Sequence, residues 1–133
     1  MKQMRIKVYL ILWCVTLAGC SIDEPQINAV SVLNLLNQPE QFQGETIAVR
    51  GYLMVGSLAR LYFHREDALY RVAENSVLLT FSNDEFENVR KTCNAEYVRV
   101  VGQFNSNHEI SQIQSVHILG INTHSTTQCW QSF

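Results

Sequence analysis

The sequence predicts a single small domain that is mainly β, with two short helices. Three observations support this fold class. Several stretches alternate between apolar and polar residues, two others have apolar residues at helical spacing, and the 133-residue chain is 47% hydrophobic but only 17% charged. Disordered chains contain fewer apolar residues and more charge. A chain of this length accommodates one domain.

The N-terminal twenty residues have the organisation of a secretory leader. Lys2, Arg5 and Lys7 form a basic head, and residues 8–18 form an apolar run. This run is shorter than the roughly 20 residues that span a bilayer, and it has the length of a signal-peptide core. The motif that follows, Leu17-Ala18-Gly19-Cys20, resembles the lipobox of bacterial lipoproteins. An ordinary signal peptide with a coincidental cysteine and an N-terminal anchor helix are the alternatives.

The lipobox resemblance implies that residues 1–19 are removed and that Cys20 carries diacylglycerol and an amide-linked acyl chain such as palmitate. Ser21, the next residue, resembles the export signal of Gram-negative lipoproteins that reach the outer membrane and face the periplasm. Residues 20–28 are then a polar tether, and residues 29–133 are one domain with a C-terminal tail. Two or more acyl chains would hold such a protein stably on the membrane.

Removal of the leader makes the chain acidic. Three of its 10 Lys and Arg residues lie in residues 1–19, which leaves seven against 12 Asp and Glu, a net charge of −5. Nucleic acids demand a basic surface that neutralises their phosphates. The charge balance therefore argues against a nucleic-acid partner.

The first predicted element of the domain is a short helix. Five apolar residues recur at helical spacing: Val30, Val32, Leu33, Leu35 and Leu36. Asn28 is the expected N-cap, and Pro39 ends the helix.

Five strands are predicted after this helix. They cover residues 46–55, 58–64, 77–81, 96–104 and 109–119. The polar segment 65–76 is predicted as a loop, and residues 84–92 as a second helix between the third and fourth strands. Broken alternation predicts a β-bulge near residues 112–114, and residues 121–133 are predicted as a polar tail.

A helix between the third and fourth of five strands is typical of the OB-fold, a Greek-key barrel. The first and fourth strands also have matching patterns, in which Gly51 and Gly102 interrupt the inward-facing apolar row at the same place. Glycine allows the sharp bending that strands of a small closed barrel need. The chain thus resembles small OB-fold domains of the bacterial envelope over about residues 45–120. An open α+β sheet is the alternative.

The cysteines predict one disulfide. Cys14 is lost with the leader and Cys20 is the lipid site, so Cys93 and Cys129 remain as a pair in an oxidising compartment. A reactive or metal-binding thiol pair is the alternative, but the two residues have no CxxC spacing. In the chain-entropy description, such a bridge stabilises a fold by about 3–4 kcal/mol.

No motif predicts catalysis, a cofactor or a metal. Ser57, His64 and Asp67 have the chemical types of a catalytic triad but lack a nucleophile elbow. His64, His108, His117 and His124 have no ligand spacing. The acidic residues at 84, 85 and 87 lie at a predicted helix N-terminus, where they complement the helix dipole. The sequence therefore predicts a protein that is not an enzyme.

The candidate binding surface lies on and beside the second strand. It comprises Arg50, Tyr52, Arg60, Tyr62, Arg65 and Arg71. Guanidinium groups bind carboxylates, and tyrosines provide contact area. We expect a non-catalytic binding module for a protein or peptide partner, such as an accessory of an envelope or secretion machine. An immunity lipoprotein against an envelope-acting toxin and an envelope enzyme are the alternatives, and the arginines could also be merely solvated.

Overall fold

The computed structural model describes residues 27–121 and 125–133. The predicted signal peptide, the predicted lipid site Cys20, Ser21 and the predicted tether up to residue 26 lie outside the described residues, as does His124. No helix within the described ranges is long and apolar enough to cross a membrane.

The described chain contains seven strands and three α-helices. The strands are β1 Asn28–Ser31, β2 Thr46–Val55, β3 Ala59–Tyr62, β4 Ser76–Leu79, β5 Glu96–Asn105, β6 Glu109–Leu119 and β7 Thr126–Gln131. The helices are α1 Val32–Asn37, α2 Arg65–Leu69 and α3 Asn83–Thr92, and 3-10 turns cover Pro39–Phe42 and Ala73–Asn75. All five predicted strands are present, and two of them, β2 and β6, have the predicted bounds.

Five strands close into a barrel. The order is β2-β3-β4-β6-β5, and β5 returns to pair with β2. The pairing of β4 with β6 is parallel, while the other four are antiparallel. With α3 between β4 and β5, this is a small OB-like barrel with additional strands. The predicted fold class is confirmed, and the open sheet is excluded.

The barrel interior holds the apolar residues of each alternating row. Val49, Leu53 and Phe104 are among the side chains with no exposed surface. Leu35 of α1 and Val89 of α3 join the same core. Burial of each such side chain favours folding by about 1.5–3 kcal/mol. Packing against the barrel therefore stabilises both helices, which are too short to be stable alone.

The predicted bulge in β6 is confirmed. Val101 pairs with Ser115, but Gln103 pairs with Ser111, so β6 carries two more residues than β5 between these pairs. Gln112 within this segment has a φ of 45°, in the left-handed region. The bulge restores the inward position of Ile113, which is buried.

Gly51 and Gly102 lie where neighbouring strands approach closely. A Cβ atom at Gly51 would stand 2.6 Å from the carbonyl oxygen of Tyr62, and one at Gly102 would stand 2.7 Å from a methyl group of Ile110. The two glycines thus leave room for the adjacent strand, and neither has a positive φ. The reason for glycine that the structure shows at both positions is the close approach of the neighbouring strand; the predicted role in bending stays a prediction.

The N-terminal boundary of the domain differs from the prediction. Residues 28–31 form β1, which pairs in parallel with residues 47–50 of β2. Asn28 is therefore not an N-cap; Ser31 is, and its hydroxyl accepts a hydrogen bond from the Asn34 N–H at 3.1 Å. The apolar spacing predicts a helix that includes Val30, but the helix begins at Val32. Pairing with β2 keeps the residues before Val32 extended.

Two segments predicted as irregular have regular structure. Arg65–Leu69, within the predicted loop, forms α2, a helix in addition to the two that the sequence predicts. Thr126–Gln131 forms β7 within the predicted tail and pairs with β6. Trp130 of β7 is buried and packs edge-on against Phe81, with ring centroids 5.3 Å apart. The C-terminal segment is thus part of the domain.

The predicted disulfide is confirmed. Cys93 and Cys129 are bonded, with their Cα atoms 5.6 Å apart. Cys93 is the C-cap of α3 and is fully buried, and Cys129 lies in β7. The bond joins α3 to β7, which both lie outside the barrel strands.

Candidate functional site

A groove near the predicted surface lies between the β2–β3 hairpin and α2. We call it the hairpin groove, and its volume is about 470 Å³. It is lined by Met54, Gly56, Ser57, Leu58, Arg60, Tyr62, Ala68, Leu69, Arg71 and Ala73. Its walls combine apolar side chains with two guanidinium groups, and no acidic residue is among these described lining residues.

The floor of the hairpin groove consists of outward-facing residues of β2 and β3. Tyr52 pairs across the strands with Tyr62, and Met54 pairs with Arg60. Tyr52, Tyr62 and Ala68 form a small apolar cluster, separate from the barrel core, with Met54 packed against it. Alternation along both strands places these residues outside the barrel, and α2 covers them.

Hydrogen bonds hold α2 and the segment after it in place over the hairpin. The backbone N–H of Arg65 donates to the Tyr97 hydroxyl at 3.2 Å. The Asn75 side chain donates to Asp67 Oδ1 at 3.0 Å, and the Val72 N–H donates to the Asp67 carbonyl at 2.8 Å. A helix of five residues is too short to be stable alone, so these bonds and the buried Ala68 position it.

The two arginines of the groove are not neutralised. Arg60 Nη1 donates to Ser76 Oγ at 3.1 Å, which orients the guanidinium without offsetting its charge. Arg71 is exposed, and its φ of 57° lies in the left-handed region that favours glycine. Glu87–Arg90 is the sole ion pair within the described ranges. Both groove arginines can therefore bind an external anion.

The structure divides the six predicted surface residues. Arg60, Tyr62 and Arg71 line the hairpin groove. Tyr52 is buried beneath it and contacts Tyr97 edge-on at a centroid distance of 5.1 Å. The other two do not line the groove: Arg65 begins α2, and Arg50 lies further along β2, opposite Arg99 of β5.

Sequence reasoning missed the apolar part of the groove. Leu58 and Leu69 are 52% and 56% exposed, and Met54 is partly buried at the floor. Met54, an apolar residue on the outward-facing row of β2, is a sequence signal that could have indicated this apolar surface. Leu69 could not be found this way, because the segment that contains it was predicted to be a loop.

Several of the residues considered for catalysis and metal binding have contacts within the domain. The His64 ring contacts the Phe63 ring at a tilt of 52°, with centroids 4.1 Å apart, and Asp67 accepts a hydrogen bond from the Asn75 side chain. Glu85 accepts a hydrogen bond from the Ser82 N–H at 2.9 Å, as part of the capping box of α3. Among the residues that the structure describes, no cluster of His, Cys, Asp and Glu could hold a metal ion.

Comparison with known proteins finds no family model, no curated protein and no solved structure that matches this chain.

Proposed function

We propose that this protein is a lipid-anchored envelope lipoprotein whose barrel is a non-catalytic binding module for a protein or peptide partner. The anchor is Cys20, and the barrel faces the periplasm from the outer membrane. The observation that carries the binding role is the hairpin groove, in which exposed leucines lie beside two arginines that form no ion pair within the described ranges.

The groove suits a partner segment that combines apolar and acidic side chains. Leu58, Leu69 and Met54 offer apolar surface that would lose contact with water on binding. Arg60 and Arg71 offer charge-assisted hydrogen bonds to carboxylates. A peptide or protein loop provides both kinds of group within a few residues, and no cofactor is needed.

The groove is tested by photo-crosslinking in the envelope of the producing cells. A photoreactive phenylalanine analogue at Leu69 is expected to form adducts with a protein partner. Combining it with Arg60→Gln and Arg71→Gly should lower the adduct yield roughly fivefold or more, because two charge-assisted contacts are lost. Glycine at position 71 also fits the left-handed backbone, so this replacement removes the charge without straining the fold.

Arg65→Gln is the matched control, since it removes an arginine from the same segment but outside the groove. Its adduct yield should equal that of the parent protein. Equal yields for all three proteins would show that the groove arginines do not bind the partner. A loss with Arg65→Gln alone would move the site to the N-terminus of α2.

The lipid anchor is tested by metabolic labelling with an alkyne analogue of palmitate. Cys20→Ala is expected to abolish labelling and to release the protein from the membrane fraction. Cys14→Ala is the control, because it removes a cysteine of the leader and should leave labelling intact. Labelling of Cys20→Ala at the parental level would contradict the proposed anchor.

A further inference from the structure

A row of basic side chains crosses the outer face of the barrel on the other side of β2 from the groove. Arg50 of β2 pairs with Arg99 of β5, and Arg99 pairs with His117 of β6. Inward-facing Val49, Val98, Val100 and Val116 flank these positions, so the three side chains point outward. We call these three residues the basic row. They occupy adjacent strands and span about 10 Å.

The basic row has no compensating charge among the described residues. Ser31 of β1 and Gln128 of β7 stand at its two ends. The outward positions two residues before and after each member are also uncharged; they are Ala48, Tyr52, Tyr97, Val101, Ser115 and Leu119. Neither Arg50 nor Arg99 forms an ion pair within the described ranges.

This arrangement costs stability in the isolated domain. Like charges directly opposite each other on neighbouring strands repel, since their Cβ atoms are only about 5 Å apart. In addition, Nδ1 of His117 is buried without a hydrogen-bond partner in the described structure. Arg50 is exposed and Arg99 is half-buried, so an external anion can reach both guanidinium groups.

We infer that the basic row is a second contact site, which binds carboxylate side chains of an acidic segment of the protein partner. Two neighbouring guanidinium groups can hold one carboxylate between them or two carboxylates side by side. This inference rests on the proposed binding role and adds the chemistry of the partner. It involves Arg50 and Arg99, whereas the groove test involves Arg60 and Arg71, so failures of the two are distinguishable.

Charge favours a local carboxylate over an extended anionic surface. The described residues carry seven Lys and Arg against ten Asp and Glu, so an anionic membrane or a nucleic acid would be repelled by most of the domain. The row also lies in the middle of paired strands, where backbone N–H groups are used by the sheet. The row therefore offers side-chain donors, and the planar guanidinium fork matches a carboxylate in bidentate geometry.

The test measures binding of a fluorescent oligoglutamate peptide to the purified domain at low ionic strength by anisotropy. Arg50→Gln and Arg99→Gln are each expected to raise the dissociation constant roughly fivefold to tenfold, as expected for loss of a charge-assisted hydrogen bond. Arg90→Gln is the matched control, since it changes the net charge equally but lies on α3 in an ion pair with Glu87. It should bind like the parent protein.

A second measurement needs no ligand. Arg99→Gln should raise the thermal unfolding midpoint of the free domain because it relieves the repulsion from Arg50, while adding Arg50→Gln to that variant should give no further rise. Absence of oligoglutamate binding, equal weakening by Arg90→Gln, or an unchanged midpoint for Arg99→Gln would overturn the inference. Arg50-dependent binding to phosphatidylglycerol vesicles without peptide binding would reassign the row to a membrane surface.

Discussion

Replacing both Cys93 and Cys129 by alanine is expected to lower the free energy of unfolding by about 3–4 kcal/mol. The disulfide closes a loop of 36 residues that contains β5 and β6, two long barrel strands that pair with each other. In the unfolded chain the bond restricts the entropy of this loop, and the cost of losing it grows with loop length. A domain of this size has a total stability of only about 5–15 kcal/mol, so the loss would be conspicuous.

Urea unfolding followed by tryptophan fluorescence measures this effect, because Trp130 lies next to Cys129 and is buried. The parent protein in the presence of a reductant is the control, since it loses the same covalent bond but keeps both side chains. Both samples should show a lower unfolding midpoint. A double variant within about 1 kcal/mol of the oxidised parent would mean that packing of β7 on β6, rather than the bond, holds the C-terminal segment.

Gly51→Ala is expected to destabilise the barrel by about 2–3 kcal/mol. Its new methyl group would lie 2.6 Å from the Tyr62 carbonyl oxygen and 2.8 Å from Cγ of Leu61. Because the nearest atom belongs to the backbone of β3, the strand itself must move. Gly102→Ala should cost less, about 1–2 kcal/mol, since its nearest neighbour is a methyl group of the Ile110 side chain.

Gly56→Ala is the matched control for both substitutions. Gly56 follows β2, has no heavy atom within 4 Å of its ideal Cβ position and does not have a positive φ. The same chemical change there should leave the unfolding midpoint nearly unchanged. If Gly51→Ala and Gly102→Ala unfold like Gly56→Ala, the strands are not packed as closely as the barrel requires.

Most of the barrel could be predicted from repeated local patterns in the sequence. Alternation in β2 and β5 extends over ten residues, which is long enough to separate an inward row from an outward one. In β6, the break in alternation indicates the bulge. Capping residues indicate the helix α3. The glycines at matching positions of β2 and β5, Gly51 and Gly102, indicate the closed barrel. The disulfide is predicted from Cys93 and Cys129, the two cysteines that lie outside the predicted leader and the predicted lipid site.

Elements without such patterns depend on tertiary contacts. β1 has four residues and β7 has exposed polar residues over most of its length, so neither shows a usable alternation. Each exists because a free strand edge of the barrel accepts its backbone hydrogen bonds. The five residues of α2 are too few to show a helical pattern in the sequence. Contacts with Tyr97 and with the small apolar cluster of Tyr52 and Tyr62 position this helix.

The candidate binding surfaces show the same division. The sequence by itself identified Arg50, Arg60 and Arg71 as candidate binding residues through their density along a short segment. The folded structure then shows that Arg60 and Arg71 line the hairpin groove together with Leu58 and Leu69, whereas Arg50 lies in a row with Arg99 and His117. Alternation in the sequence assigns a side chain to one face of its strand. The neighbours of that side chain on the same face depend on strand order and register. Both are set by contacts between residues far apart in the chain, which a local pattern does not contain.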